Sequence, residues 1–272
     1  MKFIKIFETH DPDYLNYINS EDVILPNLSY CKDIGDVHLN KIETRLVAKY
    51  NVTSTSENTY ICGNYSGFSE VEIDGVVQPN VVDRYTFDTT GEHTVKFTLV
   101  NPTIIGNYAF SGCRNLTNIK IPNSVTTIDT YAFTNSGITS ITIPDSVTTI
   151  GSSAFYSCTS LTSVTIGNSV TSIGDSAFGS CSSLTGALTI PDSVTTIGRW
   201  AFQYCRELTS IIIGNSVTSI GEQAFRFCSG LTSVTIGDSV TSIGEYAFSD
   251  CSSLTGTLTI PDSVTTIGES TF

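Results

Sequence analysis

The residues of this chain that could do chemistry are eight cysteines, three histidines, a row of aspartates and one cluster of aromatic and cationic side chains. His10, His38 and His93 are far apart. None stands at metal-ligand spacing from a cysteine or carboxylate, and G-x-x-x-x-G-K-[ST], G-x-S-x-G and C-x-x-C are all absent. No catalytic, cofactor-binding or metal-binding residue is therefore assigned, and the expectation is a protein that is not an enzyme and carries no cofactor. Recognition is the remaining chemistry. Arg199, Trp200, Gln203, Tyr204, Arg206, Arg226 and Phe227 gather the single Trp and three of the five Arg and Lys residues that follow residue 101. Trp, Tyr and Arg are the side chains that most often anchor an interface, so this cluster is the candidate partner site.

What positions these side chains is a repeat. The Phe of an A-F or T-F dipeptide recurs at Phe110, Phe133, Phe155, Phe178, Phe202, Phe225, Phe248 and Phe272, at spacings of 23, 22, 23, 24, 23, 23 and 24. One copy, Leu161 to Cys181, reads LTSVTIGNSVTSIGDSAFGSC, with apolar residues at Leu161, Val164, Ile166, Val170, Ile173, Ala177, Phe178 and Cys181. A unit of this length cannot bury its own apolar side, but stacked units turn those positions into continuous ladders. A strand is expected on one face and a short helical or 3₁₀ turn around A-F. Coils are numbered here by their phenylalanines, so Phe110 belongs to coil 1 and Phe202 to coil 5.

Stacking assigns the remaining chemical residues. Cys113, Cys158, Cys181, Cys205, Cys228 and Cys251 each follow the repeat Phe by three residues, with Ser136 in that place in coil 2. This spacing predicts a ladder of buried, unpaired thiols, since a free Cys packs as a small hydrophobe. Cys31 and Cys62 lie outside the ladder, and whether they pair is left open. The row Asn123, Asp145, Asn168, Asp192, Asn215, Asp238 and Asp262 follows the strand. A row of carboxylates could hold Ca²⁺, but one carboxylate per coil with Asn interleaved points to turn capping. The Thr pairs 126–127, 148–149, 195–196 and 265–266 should stack; they bring ice-binding surfaces to mind, although Thr also favours strands generally. The outward strand positions are Asn118 and Lys120, Ser140 and Thr142, Ser163 and Thr165, Ser210 and Ile212, and Ser233 and Thr235, a hydroxyl-rich face with little charge. A block of three coils is duplicated, since CSSLTGALTIPDSVTTIG at Cys181 returns as CSSLTGTLTIPDSVTTIG at Cys251. Each copy has one extra residue, between Leu184 and Leu188 and between Leu254 and Leu258, which reads as a bulge.

The L-x-x-V-x-I spacing of Leu161 to Ile166 resembles the strand segment of leucine-rich repeats. The I-G-x-x-A-F-x-x-C tail is similar to the BspA-like branch of that family. The resemblance covers about residues 104–272 and implies an α/β repeat solenoid, right-handed and β-rich, of about eight coils of 22–24 residues. It also implies non-catalytic adhesion: a host-matrix or microbial surface protein as partner, and an extracellular or cell-surface location. A carbohydrate-binding module is the alternative that would show aromatic platforms along one face, for which Trp200, Tyr204, Tyr156 and Tyr246 are the available residues. A phage or virion-associated decoration protein is a further alternative, from the general look of the first hundred residues.

The N-terminal part differs in pattern. Residues 1–43 read as an extension or arm. Residues 44–101 alternate apolar and polar in RLVAKYNVT, EVEIDGVVQP and YTFDTTGEHTVKFTLV, with Asp74-Gly75 and Thr90-Gly91 where tight turns fall. A small β-sandwich is expected there, since YTFDTTGEHTVKFTL resembles the last hairpin of small immunoglobulin-like bacterial surface modules. It should cap the solenoid that occupies residues 102–272, because a first coil otherwise exposes an open strand edge. The chain stops at Phe272 inside a repeat, which predicts either a truncated chain or an end buried on a partner, with self-association there as one form of the latter. The net charge of −13 and the lack of a basic stripe argue against nucleic acid. No run of apolar residues is long enough to span a membrane, and MKFIKIFETHDPDYL lacks the apolar core of a secretory signal.

Overall fold

The computed structural model describes residues 44–63 and 65–272. The readings for residues 1–43, including His10, Cys31 and His38, lie outside them. The fold is a β-solenoid with almost no helix, the one helical turn among the described residues being a 3₁₀ turn at Tyr65–Gly67.

The N-terminal strands are β1 (Arg45–Val52), β2 (Thr59–Tyr60), β3 (Phe68–Ile73), β4 (Val76–Val77), β5 (Arg84–Tyr85) and β6 (Gly91–Leu99). Alternation works as the sequence indicates: Leu46, Ala48, Tyr50 and Val52 of β1 are buried, and so are His93, Val95, Phe97 and Leu99 of β6. The Asp74–Gly75 turn joins β3 to β4 with φ of 48° and 86°, the two left-handed residues of a turn whose twist matches the flanking strands. The expected final hairpin does not form. β6 pairs antiparallel with β1 and β3, while β5 pairs with β2. Phe87 turns inward and is buried, and the loop that follows closes on His93, so the chain bends between β5 and β6 instead of running on as a strand pair. The second layer is thus the two-stranded β2–β5 ribbon and its loops, not a full sheet.

In the solenoid, two-residue strands alternate with longer ones. They run β7 (Ile104–Ile105), β8 (Leu116–Lys120), β9 (Thr127–Ile128), β10 (Ser140–Thr142), β11 (Thr149–Ile150), β12 (Ser163–Thr165), β13 (Ser172–Ile173), β14 (Gly186–Ile190), β15 (Thr196–Ile197), β16 (Leu208–Ile213), β17 (Ser219–Ile220), β18 (Ser233–Thr235), β19 (Ser242–Ile243) and β20 (Thr266–Ile267). The short strands form one parallel eight-stranded ladder from β7 to β20. The longer strands do not form one ladder: β10 pairs with β12, β14 with β16 and β16 with β18, and in the β14–β16 pair the register shifts at Gly186, φ 78°, which is the bulge read from the extra residue. In the duplicate copy, residues 254–260 form no strand, and Leu254, Leu258 and Ile260 are only partly buried.

Side chains reinforce the ladders. Thr126, Thr148, Thr171, Thr195, Thr218, Thr241 and Thr265 each donate their hydroxyl to a Thr carbonyl one coil earlier at 3.0–3.2 Å. These hydroxyl protons are spent inside the fold. Asp145 and Asp192 accept the amides of Asn168 and Asn215 of the next coil at 2.7 Å, and Asn215 accepts that of Asp238 at 3.3 Å. The row caps turns laterally, coil to coil.

The sheet crosses residue 101. β1 pairs antiparallel with β8, Lys49 lying opposite Asn118 and Val47 opposite Lys120, and residues 43–272 form one compact unit. At the inner side Phe68 and Phe97 lie 5.5 and 5.2 Å from Phe110. From Phe110 to Phe272 successive rings stack 5.0–5.7 Å apart with interplanar angles of 10° or less. Eight rings enclose seven turns, one fewer than a count of phenylalanines implies.

Candidate functional site

The candidate residues sit on the turns that carry the Phe ladder. No helix forms there, contrary to the expectation from A-F. In coil 4 the amides of Ser176, Phe178 and Ser180 donate to Arg199, Ala201 and Gln203 of coil 5 at 2.6–2.7 Å, while Ala177 and Cys181 close turns onto Gly174 and Phe178. Sending alternate amides to the neighbouring coil requires the residues two before and two after the Phe to take left-handed backbone. Ser176 and Ser180 have φ of 54° and 60°, and their equivalents repeat this along the solenoid. Left-handed residues cannot continue a helix, and each costs about 1–2 kcal/mol for a side chain with Cβ. Two of these turns per coil point their side chains outward from the same edge.

Inside the turn, the cysteines behave as the spacing predicts. The thiols of Cys158, Cys181, Cys205, Cys228 and Cys251 donate to the carbonyls of Phe133, Phe155, Phe178, Phe202 and Phe225 at 3.0–3.3 Å, and all are unpaired. Burial pushes Cys158 up to about 11 and Cys251 up to about 12. Thiols held this far from the thiolate are inert. Cys62 is also a free, buried thiol, bonded to the Val82 carbonyl at 3.3 Å and pushed up to about 12 by burial and by Asp83. Among the described residues no three His, Cys, Asp or Glu side chains converge as metal ligands.

Outside the turn, the structure brings most of the candidate cluster together. Trp200 and Tyr204 occupy the two left-handed positions of coil 5, at φ 56° and 63°, and Phe227 the second of coil 6 at 62°. The Tyr204 and Phe227 rings stack 4.7 Å apart at 3°. The Arg206 guanidinium lies over Tyr204 at 5.5 Å, and that of Arg226 lies over Phe227 at 4.5 Å and over Tyr246 at 5.1 Å. Such contacts contribute about 0.5–1 kcal/mol each at exposed sites. Gln203 donates to Gln223 at 2.9 Å, Arg226 donates to the same oxygen at 3.1 Å, and Arg226 reaches Asp250 at 3.4 Å. Arg199 is 4.0 Å from Glu222. Among the described residues Trp200 joins no ring stack.

Gln223 and Asp250, absent from the cluster assigned on residue types, belong to this network, and Tyr246, so far named only as an aromatic platform, enters it through Arg226. The signal was present: Gln223 and Tyr246 continue the Trp200 column, and Asp250 the Tyr204–Phe227 column, at offsets of 23. A second ring pair, Tyr108 on Tyr131 at 5.0 Å and 10°, stands on the same edge in coils 1 and 2, 50% and 37% exposed. The predicted outward positions of the strand face are exposed or half-exposed except for the partly buried Ser140 and Ser210, and Ile212 is 46% exposed.

A parallel solenoid whose coils repeat a strand, a capped turn and a Phe-centred turn is a leucine-rich repeat protein. The chain belongs to the BspA type leucine rich repeat region family, which matches residues 80–207 and 185–272 in six copies. Among solved structures, a leucine rich cell surface protein from Faecalibacterium prausnitzii A2-165 is 42% identical, over 57% of this chain and 41% of its own, with a TM-score of 0.46. The T. pallidum leucine rich repeat protein TpLRR is 29% identical, over 61% of this chain and 77% of its own, with a TM-score of 0.51. The chain therefore spans under half the length of the Faecalibacterium protein. A comparison with curated proteins gives no match. Among the described residues no helix is long and apolar enough to cross a membrane.

Proposed function

We propose that this chain is a non-catalytic recognition protein of a bacterial surface, in which the solenoid displays side chains to a protein partner and the sheet of residues 44–100 caps its first coil. The partner site is the turn edge of coils 5 and 6, carried by Arg199, Trp200, Gln203, Tyr204, Arg206, Arg226 and Phe227. The observation that carries this reading is the Tyr204–Phe227 stack with two guanidinium groups held against it. Side chains already fixed by one another lose little freedom on binding, and rigid aromatic and Arg groups are those that anchor interfaces. The strand face, by contrast, offers hydroxyls and few anchors. Location at the cell surface rests on the family and on the printed description of the Faecalibacterium protein.

The test is capture from host-matrix and bacterial-surface extracts by the intact chain, against a Trp200→Ser, Arg206→Ala, Arg226→Ala variant. Ser is the residue that coil 4 carries in the same backbone conformation, so the variant should fold. A partner held by the first protein and lost by the second upholds the reading. Equal capture by both moves the site elsewhere.

A further inference from the structure

The turn edge of coils 5, 6 and 7 is complementary to itself. Arg199 and Trp200 of coil 5 share their two columns with Glu222 and Gln223 of coil 6 and with Glu245 and Tyr246 of coil 7. Tyr204, Phe227 and Asp250 fill the second left-handed column of the same three coils. The coils are evenly spaced and flat, since the buried rings of Phe202, Phe225 and Phe248 lie 5.3 and 5.2 Å apart at interplanar angles of 3° and 8°. A half-turn of a second copy about an axis across coil 6, perpendicular to the stack, keeps every column in place and reverses the order of the coils. Coil 5 of one copy then faces coil 7 of the other.

We infer that the edge of coils 5–7 binds a second copy of this chain, antiparallel and centred on coil 6, an inference that rests on the reading of this edge as a recognition surface and names a partner for it. Charge complementarity carries it. Arg199, its side chain 61% exposed, meets the exposed Glu245 of the second copy, and the twofold repeats this pair on the other side of the axis. Trp200 meets Tyr246 twice in the same way, and Tyr204 meets Asp250, hydroxyl to carboxylate. On the axis Phe227 meets Phe227. Arg226 beside it is already answered by Asp250 at 3.4 Å and Gln223 at 3.1 Å, with its side chain 29% exposed. Glu222 faces its own copy, and each of the two carboxylates has the Arg199 of its own chain at 4.0 Å. Arg206 and Glu207 face Ser252 and Ser253. The contact ends at the next coils, where Asp175 of coil 4 would meet Glu269 of coil 8, two carboxylates. An aromatic centre with crossed ion pairs at its rim has the make-up of a protein interface. A patch that returns its own opposite charges under a twofold closes as a dimer.

Sedimentation equilibrium of the intact chain over a range of concentrations tests this, at low ionic strength where the ion pairs are least screened. A contact of three coils is small, so the parent should pass from monomer to dimer as concentration rises. Arg199→Glu and Glu245→Arg should each abolish the dimer, because either variant on its own places two like-charged pairs in the contact. Each substitution brings in a residue type that another coil carries in that column, as Glu222 and Arg199 show, so the turn should fold unchanged. Mixed together, the two variants should dimerise again, since every pair between them is once more one cation and one carboxylate. A parent that stays monomeric, a single variant that dimerises as the parent does, or a mixture that stays monomeric would overturn the inference. Capture of a foreign protein, lost in Trp200→Ser with Arg206→Ala and Arg226→Ala while the parent is monomeric, leaves the partner site standing and ends this inference alone.

Discussion

The amide of Gly63 donates to the carbonyl of Ala109 at 2.8 Å, the bond that Phe110 makes to Ala132 and Phe133 makes to Ala154 at 2.7 Å in the coils that follow. A loop of the N-terminal sheet thus occupies the place of a preceding Phe turn. Only glycine fits, because a Cβ on Gly63 would stand 2.1 Å from the Tyr108 carbonyl oxygen. Gly63→Ala should therefore shift backbone rather than a side chain, at a cost of about 1–3 kcal/mol. Hydrogen exchange should show the loss in coil 1 and β1 first; uniform protection across the solenoid would mean the loop does not hold the first coil.

The Phe ladder predicts a local lesion that divides the solenoid. Phe178 is fully buried between Phe155 and Phe202. Phe178→Ala removes two ring contacts and leaves a cavity, worth about 3–5 kcal/mol. Since each coil touches only its neighbours, urea unfolding should change from one transition to two. A single unshifted transition would contradict this.

Left-handed residues make the opposite prediction. Ser153 has φ of 54°, so Ser153→Gly removes the Cβ penalty and should stabilise by about 0.5–1 kcal/mol after the extra freedom of glycine in the unfolded chain is subtracted. Gly151, two residues earlier, behaves in reverse, because a Cβ there would lie 2.7 Å from the Thr130 nitrogen. Gly151→Ala should lower the midpoint of thermal unfolding while Ser153→Gly raises it.

The ladder thiols should be silent until the fold opens. With Cys158 up to about 11 and Cys251 up to about 12 by burial, a small alkylating reagent at pH 8 should leave all six ladder cysteines unmodified in the native protein and label them in denaturant, as read by mass. Native labelling of Cys181 or Cys205 would contradict the burial shown here.

His93 gives the N-terminal sheet a pH dependence. Its Nδ1 lies 2.6 Å from Asp74 Oδ2 and its Nε2 2.9 Å from the Thr89 carbonyl, so both nitrogens face acceptors and the doubly protonated ring is favoured. Burial works against the charge, but the bonds to Asp74 and Thr89 outweigh it and raise the His93 pKa, while burial of Asp74 is outweighed by His93 and the Thr94 amide and its pKa falls. The raised His93 value contributes stability that is complete below the unfolded value of about 6.5 and is lost as pH rises through the folded one. Asp74 contributes above its unfolded value of about 3.9 and loses it as pH falls further. Stability of this region should peak between those limits, and His93→Gln should flatten the alkaline side. An unchanged profile in that variant would remove His93 from the account.

The sequence by itself determined the solenoid. A period of 23 with apolar residues in fixed columns has no stable form but the stack, and the columns told which Cys are buried, which Asp cap turns, which strand residues face out and where the bulge falls. It also marked Trp200, Tyr204, Arg226 and Phe227 as out of keeping with the Ser and Gly of other coils. What it left open was everything that depends on how one coil meets the next. Periodicity fixes that Phe and Cys recur, but only packing showed that alternate amides bond across coils, which forces left-handed residues and abolishes the helix expected at A-F. Alternation suggested a β5–β6 hairpin, yet β1 competed for β6 and His93 closed the intervening loop. The pairing of Tyr204 with Phe227 and of Arg226 with Tyr246 was decided by the rise between coils, a distance that residues far apart along the chain acquire only when the turns are stacked.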